Sequence, residues 1–359
     1  MKKVKVGIIG CGGIANGKHL PALKEIKEVE LVAFCDIIEE RAVKACKEYG
    51  VEGAKHYKDY KELLKDKNIE TIHVCTPNKS HSFITIDALR SDKHVLCEKP
   101  MAKTYAEAKE MVEVAKETGK ILTIGYQYRY RPHSLHMKNV CERGDLGDIY
   151  FAKAHAIRRR AVPTWGVFLN EEEQGGGPLI DIGTHALDST LWYLNKYKPV
   201  SVKGSVYKKL SENGDCGNSF GPWDPNEFTV EDSAFGFITM EDGTTIILES
   251  SWALNTLEVG EAQATLCGTK GGADTRNETF TYNGDDFGRL VTSTADFSKG
   301  GVAFFEGGSA KPEVIEARIF YDAVLYGKDL CVKPEQALVV TQILEAIYKS
   351  SETGEEIKL

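Results

Sequence analysis

Apolar and polar positions change rhythm about one third of the way along the chain, and the change divides it. Up to Gly125, short β-branched or apolar runs at 4–9, 31–35, 71–75, 94–97 and 121–124 alternate with stretches of helical periodicity at 14–26, 39–49, 60–64, 82–90 and 104–117. Strands alternating with helices of this length imply right-handed βαβ crossovers and a parallel sheet covered on both faces. Beyond Gly125 the period falls to two. In 149–157, Tyr150, Ala152, Ala154 and Ala156 share one side of a strand while Phe151, Lys153 and His155 share the other. Runs at 233–240, 244–252 and 262–267 follow, the first two joined by Asp242-Gly243, a strong hairpin signal. Residues 313–326 and 334–350 close the chain as helices, the second opening on Pro334 at a first-turn position. Residues 208–226 and 294–312 are weakly patterned and expected to be loops.

The first strand runs into Gly10-Cys11-Gly12-Gly13-Ile14-Ala15, the G-x-G-x-x-A form of the dinucleotide fingerprint, set between a strand and a helix as that motif requires. Gly10 permits the tight turn, Gly12 lets backbone amides approach a pyrophosphate, and Ala15 allows close helix-to-strand packing. Gly13 and Ile14 complete the cradle at the positive end of the helix. Asp36 ends the next strand, where a carboxylate accepts from the ribose 2′-hydroxyl and repels a 2′-phosphate, so NAD is expected and NADP disfavoured. Thr76-Pro77-Asn78 follows the third strand at the carboxyl edge of the sheet, where open α/β sheets bind ligands, with His81 one turn further on. Thr76 and Asn78 there either meet the cofactor or form a solvated turn and helix cap. The fold class expected is an α/β Rossmann domain with a parallel sheet over residues 1–125. Over 126–359 it is followed by an α+β domain with a large, mostly antiparallel open sheet, for substrate binding and oligomerisation.

Side chains suited to proton transfer stand at two places. Lys99, in Cys97-Glu98-Lys99-Pro100, follows a strand at the same sheet edge, and Pro100 makes the Lys-Pro bond a candidate cis peptide. Asp181 and His185 lie four residues apart after Gly175-Gly176-Gly177, a glycine run expected to let backbone pass close to a ligand. On a helix they share a face. A histidine titrating near neutrality can accept an alcohol proton while the hydride departs, with a lysine and a carboxylate orienting the hydroxyl. The plain alternative is a helix-capping aspartate with a histidine on a buried face. No G-x-S-x-G elbow supports a serine hydrolase, and no third ligand is placed by spacing, so no metal is expected.

Composition narrows the class. The 359 residues, 42% hydrophobic, suffice for two cores. A formal charge of -8, with no basic run longer than Arg158-Arg159-Arg160, argues against a nucleic-acid partner. Nine scattered cysteines without a C-x-x-C pair suit buried thiols in a reducing compartment. The N-terminal residues move at once into strand alternation, unlike a signal peptide, and no apolar run reaches membrane-spanning length. A cytoplasmic protein with a small-molecule substrate and no membrane partner is expected.

Together these segments resemble the glucose-fructose oxidoreductase / inositol dehydrogenase (Gfo/Idh/MocA) family over essentially the whole chain. The resemblance is carried by Gly10 to Ala15, Thr76-Pro77-Asn78 with His81, Glu98-Lys99-Pro100, Gly125-Tyr126-Gln127-Tyr128-Arg129, Asp181 to His185, and the closing Ser351-Glu352-Thr353-Gly354. It implies a Rossmann domain followed by a domain whose open sheet is often used for oligomerisation, hence a homo-oligomer. It also implies that Lys99, Asp181 and His185 form the catalytic set, and that Pro77, His81, Glu98 and Lys99 join the cofactor contacts. Gln127 and the loop at Thr76 would reach nicotinamide or ribose. The family acts on hydroxyls of sugars, inositols and related polyols with NAD or NADP. Residues 158–166 and 175–185 are similar to its subgroup that oxidises the C3 hydroxyl of glycosides. Tyr126, Arg158, Arg160 and Trp165 would then line the substrate, the tryptophan as a flat apolar face for a sugar ring, unless the arginines are solvated rim charges.

The activity expected is NAD-dependent hydride transfer from a secondary sugar hydroxyl, C3 of a glucoside foremost. Three rivals make different outcomes measurable. An inositol or polyol dehydrogenase would prefer cyclitols, an NAD-dependent glycosidase would release aglycone without net NADH, and a cofactor-sensing protein would bind NAD without turnover.

Overall fold

A computed structural model of the chain describes residues 3–297 and 311–359, so most of the loop expected at 294–312 lies outside the described residues. The chain divides into two compact units, Met1–Gln127 with Gly308–Leu338, and Tyr128–Gly307 with Val339–Leu359.

The first unit holds six strands, β1 (Val4–Ile9), β2 (Val29–Cys35), β3 (Lys55–Tyr57), β4 (Thr71–Val74), β5 (His94–Cys97) and β6 (Leu122–Ile124). They pair in parallel in the order β3-β2-β1-β4-β5-β6. Helices on both faces exclude water, which is why β1 is apolar along nearly its whole length, with Val4, Val6 and Ile8 fully buried. The edge strand β3 escapes the sequence reading because Lys55-His56-Tyr57 is short, polar and outward-facing. The helix Tyr105–Thr118 starts on a capping box, Thr104 accepting from the Glu107 N–H and Glu107 accepting from the Thr104 N–H, and stops at Gly119 with φ +64°. After the second unit the chain returns: Ala317, Phe320 and Tyr321 of the helix Pro312–Tyr326 pack into the same core as Val6, Ile8 and Leu96.

The second unit is a nine-stranded sheet formed by β7 (Ile149–Ile157), β8 (Pro199–Tyr207), β9 (Ser233–Met240), β10 (Thr245–Ser251), β11 (Gly260–Gly268), β12 (Gly271–Asp274), β13 (Thr281–Asp286), β14 (Arg289–Thr294) and β15 (Ile357–Lys358). Its order is β14-β13-β12-β11-β7-β10-β9-β8-β15, antiparallel throughout except where β7 and β10 pair in parallel. Gly243, at φ +85°, closes the expected hairpin between β9 and β10. One face is buried, with Ala152, Ala154, Ile246, Leu248 and Ile238 at its centre. Helix Pro334–Thr353 approaches there so closely that a Cβ on Gly236 or Gly204 would lie 2.5 or 2.7 Å from Ile347 atoms. The opposite face carries Phe151, Lys153 and His155 of β7, Phe235 and Phe237 of β9, and Ile247 and Glu249 of β10, all partly or largely exposed. Glu249 accepts from His155 at 2.9 Å and lies 4.0 Å from Lys153. Among the described residues, no helix is long and apolar enough to cross a membrane.

Candidate active site

Five loops leave the carboxyl ends of parallel strands in the first unit and therefore gather at one edge of its sheet. They carry Gly10 to Ala15 after β1, Asp36 after β2, Thr76 to Asn78 after β4, Glu98 and Lys99 after β5, and Tyr126 and Gln127 after β6. Gly10 has φ +91°, and a Cβ there would stand 2.6 Å from the Cys75 carbonyl, so this turn admits glycine alone. At Gly12 and Gly13 a Cβ would meet nothing within 4 Å, leaving the open cradle that a diphosphate needs, with exposed Ile14 beside it. Buried Ala15 opens a π-helical turn, Ala15–His19.

Asp36 is a brace for this cradle. Its Oδ2 accepts from the Cys11 N–H at 2.8 Å and its Oδ1 from the Ile38 N–H at 2.9 Å, and each oxygen keeps a lone pair for a ribose hydroxyl. Ile37, 83% exposed, adds an apolar surface next to it that sequence reasoning missed. The buried Oγ1 of Thr76 has no hydrogen-bond partner among the described residues, as a group reserved for a ligand would. The open glycine cradle, the braced carboxylate and this orphan hydroxyl fit a dinucleotide. His81 is fully committed, its Nδ1 lying 2.7 Å from the Pro100 carbonyl and its Nε2 2.8 Å from the Thr76 carbonyl, so it ties the two loops together.

The Lys99-Pro100 bond is cis. Lys99 is half-buried, and its N–H donates to Glu98 Oε2 at 3.2 Å. The rest of the Glu98 carboxylate turns inward. Lys18 Nζ lies 2.7 Å from Glu98 Oε1 and 2.7 Å from Glu316 Oε2, all three side chains being at least 93% buried. The Lys18 ammonium, with the His19 ring, holds Glu98 well below the usual carboxylate range, whereas burial raises Glu316. A chain of hydrogen bonds continues from Glu98. His19 Nε2 sits 2.7 Å from Glu98 Oε1, His19 Nδ1 2.9 Å from His73 Nδ1, and His73 Nε2 2.9 Å from the Tyr321 hydroxyl. Starting from the acceptor carboxylate, the consistent assignment is His19 Nε2–H donating to Glu98, His73 Nδ1–H donating to His19, and Tyr321 O–H donating to His73. Burial pushes His73 well below the ordinary histidine range, as a neutral ring in this chain requires.

Asp181 and His185 belong to the second unit. Leu179–Gly183 is a π-helical turn that continues without a break into the helix Thr184–Leu194, so both side chains ride on one continuous helical path. His185 is buried and packs on Tyr128, ring centroids 4.7 Å apart. Half-buried Asp181 accepts from the indole Nε1 of buried Trp252 at 3.1 Å. The glycines before them serve a different end from the one expected. A Cβ on Gly176 would stand 2.0 Å from the Tyr348 hydroxyl oxygen, and one on Gly177 2.2 Å from the Glu231 carbonyl oxygen, so packing against this chain's own β9 approach and C-terminal helix excludes larger residues. Arg158 forms a bidentate pair with Glu261, at 2.6 and 3.0 Å, and Arg160 donates to Asn255 Oδ1 at 2.9 Å. Trp165, half-exposed, stands edge-on to Phe220 with centroids 4.7 Å apart. Among the described residues no group of His, Cys, Asp and Glu could hold a metal.

Comparison with known proteins agrees along the chain. Residues 4–126 match the family described as an oxidoreductase family with an NAD-binding Rossmann fold, and residues 134–274 match the GFO/IDH/MocA C-terminal domain. D-glucoside 3-dehydrogenase of Escherichia coli K12 is 36% identical over 99% of this chain and 97% of its own length. Glucose-6-phosphate 3-dehydrogenase of Bacillus subtilis is 35% identical over 58% of each chain. Levoglucosan dehydrogenase, solved in complex with NADH and L-sorbose, shares the fold with a TM-score of 0.84 at 21% identity, covering 100% of this chain and 99% of that one. A cradle built for a dinucleotide, two folded units in this order and relatives over the full length converge: the chain is an NAD-binding oxidoreductase of the Gfo/Idh/MocA family.

Proposed function

We propose that this oxidoreductase removes hydride from a secondary hydroxyl of a sugar, C3 of a glucoside foremost, and delivers it to NAD. The observation that carries the substrate class is the likeness, over nearly the whole of both chains, to D-glucoside 3-dehydrogenase. NAD, when bound, supplies the hydride acceptor. His185 accepts the hydroxyl proton, while Lys99 and Asp181 orient the oxygen through an ammonium donor and a carboxylate acceptor. Trp252 supports this role by donating its indole N–H to Asp181 and so holding the carboxylate in place. Gly10, Gly12, Gly13, Ile14, Ala15, Asp36, Thr76, Pro77, Asn78 and Gln127 hold the dinucleotide, with His81 and Glu98 acting on its loops through the bonds described above. Arg158, Arg160 and Trp165 border the substrate, whereas Tyr126, expected beside them, is only 1% exposed and packs in the interior. The two arginines are braced by Glu261 and Asn255, which supports a rim held in fixed positions.

A panel of methyl glucosides and inositols with NAD or NADP tests this. NADH formation fastest with glucosides and NAD is expected. Preference for inositols would favour the polyol reading, and aglycone release without NADH the glycosidase reading.

The open face of the nine-stranded sheet, with Phe151, Phe235, Phe237 and Ile247 among charged residues, supports a homo-oligomer formed by a second copy. Phe237 is 49% exposed, so Phe237→Glu alters this face without entering the core. The wild type is expected to elute above monomer size and the variant as a monomer. Identical elution of the two would remove the sheet face from the assembly.

A further inference from the structure

Two catalytic side chains on one helical turn need that turn fixed from behind, and a buried carboxylate with no assigned part in the chemistry stands there. Glu231, two residues before β9, is 2% exposed. Its Oε2 accepts from the Gly177 N–H at 2.7 Å, and its Oε1 accepts from the Leu179 N–H at 3.0 Å and from the Tyr348 hydroxyl at 2.9 Å. Gly177 and Leu179 open the turn that carries Asp181, whose own N–H donates to the Gly177 carbonyl at 3.0 Å. The glycines seat the contact, since any side chain at 176 or 177 would collide with Tyr348 or with Glu231 itself. The neighbouring Asp232 extends the frame: its carbonyl accepts from the Trp252 N–H at 3.1 Å, and Trp252 is the residue whose indole holds Asp181. Glu231 and Asp232 thus fix Asp181 by two routes, through the backbone of its turn and through its indole partner.

Resting on the catalytic reading of Asp181 and His185, we propose that Glu231 is a positioning residue for the turn that carries them. Burial pushes its carboxyl up to about 6 although two backbone N–H groups and Tyr348 stabilise the ionised form. A charge kept where it is costly to bury, and bonded to the first amides of a turn, contributes geometry. A glutamine in its place keeps the shape but sets an NH2 group against one of the three donors, so the turn loosens without a cavity. A misplacement of about 1 Å at a reacting group is worth up to about a hundredfold in rate.

The experiment is a double-mutant cycle on the full-length protein with NAD and a methyl glucoside, comparing Glu231→Gln, Glu231→Ala, Asp181→Ala and the pair Glu231→Gln/Asp181→Ala. NAD binding, followed by fluorescence titration, serves as the control for folding. Glu231→Gln is expected to lower kcat about tenfold, and Glu231→Ala further, with NAD affinity within about twofold of wild type. In the Asp181→Ala background, Glu231→Gln is expected to cost less than about twofold, because the group it positions is gone. Should Glu231→Ala not fold, the isosteric glutamine carries the test. Unchanged kcat in Glu231→Gln, or the full loss repeated in the Asp181→Ala background, would overturn the positioning role. Unchanged turnover in Asp181→Ala would instead overturn the catalytic reading beneath it.

Discussion

Alanine at Lys99 or His185 is expected to lower turnover with a glucoside at least about a hundredfold while NAD still binds, since positioned acid–base groups contribute about 10²–10⁴ in rate. His185 is held by its packing on Tyr128 and by the continuous helical path on which it rides, so truncation removes an imidazole and little else. The substitution leaves the hydride acceptor in place but gives the alcohol proton no imidazole. Lys99 extends from a backbone that Glu98 grips through its N–H, and alanine there keeps the grip while removing the ammonium. The two losses differ in their pH dependence. With His185 absent, rate should rise with hydroxide concentration, because solvent must take the proton; with Lys99 absent, the imidazole still takes it and only the orientation of the hydroxyl is lost. Steady-state kinetics over pH, with NAD affinity measured separately, decides it. Variants that keep the wild-type rate would remove these side chains from the chemistry.

The second large effect is on stability. Lys18→Met is expected to lower the free energy of unfolding by about 3–5 kcal/mol, the cost of leaving a buried charge without its partner. Lys18 is the shared cation of Glu98 and Glu316, 2.7 Å from an oxygen of each. Without it, Glu98 retains the His19 ring, but Glu316, whose Oε1 has no partner among the described residues, must take up a proton or leave the core. Adding Glu316→Gln to Lys18→Met should therefore recover part of the loss. Denaturant unfolding of the wild type, the single variant and the double variant measures both terms. A loss below about 1 kcal/mol in Lys18→Met would show that the buried pair is not a unit of stability.

How much of this was legible without coordinates depends on whether the signal was local. The fingerprint, the strand-end Asp36, the Lys-Pro cis bond and the Asp242-Gly243 hairpin are all fixed by residues within a few positions of one another, and the sequence pattern finds them. The outer strands of the second sheet are less visible. β13 and β14 are largely polar and exposed, so they lack the alternation a half-buried strand shows. The helix Pro132–Arg143 mixes His, Lys, Asn and Cys among few apolar positions and gives a weak period. The supports of the candidate site were hidden for another reason. Lys18 and His19 read as an ordinary continuation of the fingerprint helix, and their partners Glu98 and Glu316 arrive from distant segments. Trp252 reaches Asp181 across 71 positions and Glu231 reaches Gly177 across 54, distances at which spacing carries no information. The glycine run before Asp181 was visible, but its purpose was not, because the atoms that exclude a side chain there belong to Tyr348 and Glu231.

Hydride transfer from a sugar carbon is the claim on which the rest depends, and a methyl glucoside bearing deuterium only at C3 tests it in one reaction with NAD. The account predicts that the NADH formed carries the deuterium at C4 of its nicotinamide and forms more slowly than from the unlabelled sugar. Unlabelled NADH would move the oxidised carbon elsewhere on the ring, and no NADH from any glucoside would contradict the assignment itself.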